Sequence, residues 1–93
     1  MIEKRIIDKI YDALNDNRLE DAQYLVHSAF EKSKPDATLF YLQGKIFMKR
    51  SQCSLSINSF LKSEELEPNG PARECLYMLN DIMNFYNKDM YNQ

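Results

Sequence analysis

The chain has few side chains that could perform catalysis or hold a metal ion. His27 is the single histidine, and it stands between Val26 and Ser28 without a nucleophile at a spacing that suggests general-base catalysis. Cys53 and Cys75 lie in separate apolar segments, far from His27 and from each other, whereas zinc sites use closely spaced ligand pairs. These residues therefore predict a protein that is not an enzyme and binds no metal ion.

Charge and composition exclude further classes of function. The only glycines are Gly44 and Gly70, so there is no glycine-rich phosphate loop and we expect no cofactor. The net charge is −2 and acidic residues alternate with basic ones, which argues against nucleic acid or an anionic membrane as a partner. Charges follow Met1 at once, as in a cytoplasmic protein without a signal peptide, and there the cysteines would be reduced.

Apolar residues recur at three- and four-residue spacing in five segments, which predicts five helices in a single all-α domain over residues 1–93. Turn-forming residues separate them, so we expect hairpins at about 3–34 and 36–67 and a last helix at about 71–88. The apolar stripes are Ile6, Ile7, Ile10, Tyr11, Ala13 and Leu14; Leu19, Ala22, Leu25, Val26, Ala29 and Phe30; Leu39, Phe40, Leu42, Ile46 and Phe47; Leu55, Ile57, Phe60, Leu61 and Leu66; Ala72, Cys75, Leu76, Leu79, Ile82, Met83 and Tyr86.

The two predicted hairpins show a period of 34 residues. Residues of similar size recur at this interval, as in the pairs Ala22 with Ser56 and Ala29 with Ser63. On these positions the second hairpin resembles the tetratricopeptide repeat over its full length, and the first resembles a degenerate copy whose Pro35 comes one residue late. The packing positions that carry the resemblance are Ala22, Val26, Ala29, Phe40, Gly44, Phe47, Ser56, Phe60, Ser63 and Pro68.

This resemblance implies a short, bacterial-type protein of two repeats and a C-terminal capping helix, stacked as a right-handed superhelix. Three residues depart from the family pattern. Ile10 replaces a small residue, Ala13 replaces an aromatic residue, and Ser51 replaces a glycine between two helices, where a left-handed conformation costs more for serine.

Members of this family generally bind a peptide on the concave face that the first helix of each hairpin lines. Carried over, the face predicts a protein or peptide partner, and Lys45 and Lys49 favour an acidic peptide or a C-terminal carboxylate. The family's two-carboxylate clamp is not expected, because Ile7 and Tyr11 replace its lysine and asparagine. A plain solvated face remains the alternative. The face would comprise Lys4, Ile7, Tyr11, Leu14, Thr38, Tyr41, Lys45, Met48 and Lys49.

The last helix suggests a second function. Met78 and Phe85 widen its apolar stripe, either to contact the helix at about 53–67 or to form an exposed strip. Two repeats are fewer than the three or so that usually make a stable stack, so a homodimer through this strip would add stability. The sequence thus leaves open a peptide-binding adaptor and a structural subunit that self-associates.

Overall fold

The structure is a computed structural model that describes residues 4–32 and 36–91, with side chains up to Asp81. Its five helices are α1 (Lys4–Asn15), α2 (Leu19–Lys32), α3 (Ala37–Lys49), α4 (Cys53–Leu66) and α5 (Pro71–Tyr91), and no strand occurs in these ranges. The all-α prediction is confirmed, and α5 continues past the predicted end near residue 88. Pro35 and the side chains of Ile82, Met83, Phe85 and Tyr86 lie outside the described residues.

The turns after α1 and α3 share one hydrogen-bonded geometry at an interval of 34 residues. The amide of Arg18 donates to the carbonyl of Ala13 at 2.8 Å, and the amide of Gln52 donates to the carbonyl of Phe47 at 2.9 Å. The residue before each donor is left-handed, with φ of 61° at Asn17 and 63° at Ser51. Such six-residue bonds close a helix C-terminus, so the period read from the sequence is also present in the backbone.

The α3 and α4 helices make the most extensive helix pair of the described chain. Gly44 allows their close approach, because a Cβ atom added there would lie 2.6 Å from the ring of Phe60. The hydroxyl of Ser56 donates to the carbonyl of Gly44 at 2.9 Å, and that of Ser63 donates to the carbonyl of Ala37 at 2.7 Å. Small residues and side-chain hydrogen bonds therefore hold these two helices together.

The face that α4 buries differs from the predicted apolar stripe. Leu55, Leu61 and Leu66 are 45%, 52% and 53% exposed, whereas Ser56, Ser59 and Ser63 are buried together with Phe60. The stripe prediction was wrong for the three leucines. The backbones of α3 and α4 come so close that only small side chains fit along most of the contact line, and the leucines lie beside it.

The core has two parts that meet at α3. The first lies between α1, α2 and α3, and its fully buried members include Ile10, Val26 and Leu39. The second lies between α4 and α5 and is centred on Phe60 and Leu79, with half-buried residues of α3 packed against it. Tyr41 contacts both parts, so the side chain on the face shared by α1, α3 and α5 is held from behind by both cores.

Candidate functional site

The helices α1, α3 and α5 share one face, hereafter the inner face, on which Tyr41 occupies the centre. The Tyr41 ring packs against Phe60 with the ring centroids 5.9 Å apart. Its hydroxyl is in hydrogen-bonding contact with the Cys75 thiol of α5, and Tyr11 of α1 lies near enough to interact electrostatically. Three helices that are distant in sequence thus place their side chains around one tyrosine.

Positive charge lies beside this tyrosine. The Nζ atom of Lys45, one turn further along α3, is 5.8 Å from the centroid of the Tyr41 ring, within the range of a cation–π interaction. Lys49 is exposed one turn beyond Lys45. The two ammonium groups therefore make the C-terminal end of α3 the basic end of the inner face.

Burial controls the ionisation of the two acidic groups at the centre of the face. Burial raises the pKa of Tyr41, and Cys75, Tyr11 and Glu74 raise it further. Burial also raises the pKa of Cys75, although the Lys45 ammonium and the Tyr41 hydroxyl partly offset the rise. At neutral pH the tyrosine and the cysteine are therefore both protonated, and the thiol is a packing group rather than a nucleophile.

The structure brings most of the predicted face residues to the surface but not all of them. Leu14 is a correction, because it is only 3% exposed and belongs to the first core. It follows the buried Ala13 and lies one turn from the buried Ile10, so it shares their inward direction. Ile7 and Met48 are half-buried against the two cores and offer only part of their surface.

The remaining predicted residues are accessible, and one of them supports a helix start. Lys4 and Lys49 are exposed, and Tyr11 is 39% exposed. Thr38 is half-buried, and its amide donates to the Asp36 carboxylate at 2.7 Å, which caps the N-terminus of α3.

A small cleft opens on the inner face between the two tyrosines and the α4–α5 turn. Its volume is about 100 Å³. Sequence reasoning missed the contribution of the turn, since Glu67 and Gly70 are separated from Tyr41 by the whole of α4. The breaker at residues 68–71 marked a helix boundary but did not indicate which face the turn would border. The cleft is lined mainly by Tyr11, Thr38, Tyr41, Glu67, Gly70 and Pro71.

A second depression lies on the opposite side of α5, in the groove between α4 and α5. Ile57 and Leu61 form one wall and Leu76 and Tyr77 the other, around a volume of about 270 Å³. Tyr77 is 58% exposed and its hydroxyl accepts a hydrogen bond from Nε of Arg73 at 3.1 Å. The groove is mostly apolar and open to solvent.

The predicted oligomer strip is only partly described. Met78 is 46% exposed, and its position on α5, next to Glu74 and Cys75 in the helical register, directs it to the inner-face side. The Phe85 side chain lies outside the described residues.

The residues considered for catalysis and metal binding are dispersed. His27 is exposed on α2, and its Nε2 atom is 3.2 Å from the Glu31 carboxylate. Within residues 4–32 and 36–81, no three side chains of His, Cys, Asp or Glu come together in a group that could hold a metal ion. No described helix combines the length and the apolar character that a membrane crossing requires.

Comparison with known proteins was made at three levels. No protein-family model, no curated protein and no solved structure matches the chain.

Proposed function

We propose that this chain is a protein-interaction module of the tetratricopeptide type that binds a peptide of a partner protein on its inner face. The observation that supports this proposal most is the placement of Tyr41. Its ring is fixed by Phe60 and Cys75, while Tyr11 and Lys45 leave accessible surface on either side of it. A pre-positioned aromatic residue beside a charge binds a peptide with little loss of conformational entropy.

The basic end of the inner face suggests the chemistry of the ligand. Lys45 and Lys49 lie one turn apart on α3 and would attract an acidic side chain or a C-terminal carboxylate. This proposal includes neither nucleic acid nor membrane as a partner, and it places the protein in the cytoplasm.

Selection from a displayed library of random peptides tests the proposal. Peptides selected on the wild-type protein should be enriched in acidic residues. They should lose at least about tenfold in affinity for the double variant Tyr41→Ala/Lys45→Glu, because it removes the aromatic surface and reverses one charge.

A matched control carries the same types of change on another face. Tyr24 is 71% exposed on α2, and Lys32 is exposed near the end of the same helix. The variant Tyr24→Ala/Lys32→Glu should bind the selected peptides as the wild type does. Equal loss in both variants, or unchanged binding by the inner-face variant, would contradict the proposal.

A second candidate function is self-association through α5, which the exposed Met78 and Tyr77 favour. Tyr77 stands two residues before the buried Leu79, in the register that Gly44 holds before the buried Ile46 on α3. A second copy at this groove could not approach α5 as closely as α4 approaches α3, because a tyrosine replaces the glycine.

Light scattering at high protein concentration tests self-association. A dimeric mass that becomes monomeric in Met78→Asp and Phe85→Asp would support it, whereas a monomeric wild-type mass would contradict it. Peptide binding by a monomer would leave the inner-face proposal as the explanation.

A further inference from the structure

The cleft on the inner face has a chemical character opposite to that of its basic end. Two aromatic rings, those of Tyr11 and Tyr41, form its walls, and Glu67 is the one charged residue among the described side chains that line it. A carboxylate beside two aromatic faces favours a cation, because the negative face of each ring and the carboxylate act in the same direction.

The carboxyl group of Glu67 is positioned by the turn that closes the cleft. A Cβ atom added at Gly70 would lie 3.7 Å from Cγ and 3.8 Å from Cδ of Glu67, so the side chain lies over Gly70. Both residues line the cleft. The carboxyl group therefore stands at the rim, where it can meet an entering side chain without being desolvated itself.

Two features that favour an anion are already satisfied or lie outside the cleft. The cleft borders the N-termini of α3 and α5, whose free amides favour negative charge. At α3 this place is taken by Asp36, which accepts from the amide of Thr38. Lys45 contacts the Tyr41 ring but does not line the cleft.

The polar groups of the cleft floor need no anionic ligand either. The Ser63 hydroxyl, which lines the cleft, donates to the Ala37 carbonyl. The Thr38 and Tyr41 hydroxyls at its edge can accept a hydrogen bond from an entering ammonium or guanidinium group.

We propose that the cleft between Tyr11, Tyr41 and Glu67 binds a lysine or arginine side chain of the partner peptide, whose acidic group lies on Lys45 and Lys49. This inference rests on the proposed function, and it adds a charge order to the ligand. Tyr41 and Lys49 are two helical turns apart, which is about 12 Å along α3. An extended peptide covers that distance in about four residues.

The cleft can be tested without any peptide, using n-butylammonium as a probe of a lysine side chain. Titration into the ¹⁵N-labelled protein should cause saturable chemical-shift changes at the amides of Thr38 and Gly70, which border the cleft. The uncharged probe 1-butanol should bind at least about threefold more weakly, since it lacks the charge that Glu67 attracts.

Two variants assign the binding to the carboxylate. Glu67→Gln should weaken n-butylammonium about three- to fivefold, because it removes the charge and keeps the shape. Glu65→Gln removes an exposed charge of the same helix that does not line the cleft, and it should leave the affinity unchanged. Tyr11→Leu should weaken the probe about two- to threefold, through loss of one aromatic face.

Several results would overturn the proposal. Equal binding of 1-butanol would make the cleft a merely apolar site, and preferential binding of butyrate would assign it to an anion. Absence of a saturable shift up to the solubility limit of n-butylammonium, or equal effects of Glu67→Gln and Glu65→Gln, would also reject it.

The outcome separates this inference from the function on which it rests. Selected peptides that depend on Tyr41 and Lys45 but show no basic residue about four positions from the acidic one would reject the cation cleft and leave the peptide-binding function intact. Binding of n-butylammonium with no selected peptide would instead reject the peptide-binding function.

Discussion

The two helical hairpins share a backbone period but solve the packing between their helices in different ways. In the second hairpin the first helix supplies a glycine, Gly44, and the second helix supplies a large ring, Phe60. At the positions 34 residues earlier, the first hairpin has Ile10 and Val26, which are both buried. The comparison shows that one turn geometry is compatible with two distributions of side-chain volume between facing helices.

The hairpins also differ in polarity at the same positions. Ser56 and Ser63 bond to backbone carbonyls of α3, while Ala22 and Ala29 in the first hairpin are buried without a polar side chain. The second hairpin therefore has directional bonds that fix the position of α3 against α4, and α3 carries the centre of the inner face.

The largest expected effect is that of removing the ring that fills the glycine site. Phe60→Ala should lower the free energy of unfolding by about 3–5 kcal/mol, because it leaves a large cavity between α3, α4 and α5. The matching change Val26→Ala removes fewer buried atoms and should cost about 2 kcal/mol. Urea denaturation followed by circular dichroism measures both, and an equal loss in the two variants would contradict the comparison.

Adding a methyl group at the glycine site tests how close the helices are. Gly44→Ala should destabilise the protein by about 1–3 kcal/mol, since the new Cβ atom meets the buried Phe60 ring. This loss should exceed the gain in helix propensity, which is about 1 kcal/mol.

A double variant separates the steric effect from other causes. In Gly44→Ala/Phe60→Leu the smaller side chain leaves room for the methyl group, so the two losses should sum to more than the measured loss. Strict additivity would show that the contact between these residues does not limit the approach of the helices.

Converting the serines to the alanines of the first hairpin should have a smaller effect. Ser56→Ala and Ser63→Ala should each lower stability by about 0.5–1 kcal/mol. The loss stays small because the carbonyls of Gly44 and Ala37 can also accept the main-chain bonds of α3. Thermal denaturation measures the change, and a gain in stability in both variants would show that the hydroxyl bonds do not stabilise the hairpin.

The turns allow a comparison in the opposite direction. Ser51→Gly should stabilise the protein by about 0.5–1 kcal/mol, because serine pays more than glycine for its φ of 63°. Asn17→Gly should gain less, since asparagine adopts the left-handed region more readily. The same melting experiment would contradict this reasoning if Asn17→Gly gave the larger gain.

The smallest effect concerns the inner face at alkaline pH. The pKa values of Tyr41 and Cys75 are raised by burial, so the native state holds both protons more tightly than the unfolded state. Stability from these groups is complete at neutral pH and is lost above about pH 9, as the unfolded thiol and phenol ionise. Tyr41→Phe and Cys75→Ser should each flatten the alkaline decline in denaturation midpoint, and an unchanged decline in both would contradict it.

Helical periodicity was a good guide where a helix meets neighbours on one broad face. It predicted five helices, and the buried Ile10, Val26 and Leu79 all belong to predicted stripes. It failed on α4, where Leu61 is exposed and Ser59 is buried. Periodicity assigns apolar side chains to the interior, but it contains no information about how closely two backbones approach.

Prediction of the candidate site was limited for a related reason. The resemblance to tetratricopeptide repeats pointed to residues of α1 and α3 that do surround one face, among them Tyr11, Tyr41 and Lys45. It placed Leu14 on that face, although the side chain is buried, and it did not include Glu67. The contribution of a turn to a distant face depends on the tilt and length of the helices that it joins.

The order of the residues alone determined the helical segments, the turns that end them and the repeat of 34 positions, because each depends on interactions within a few residues. Only the tertiary structure decided that Gly44 and Phe60 interlock, that Cys75 contacts Tyr41, and that the α4–α5 turn closes a cleft beside two tyrosines. These contacts join residues far apart in the chain, and they depend on interhelical distances that side-chain volumes set collectively.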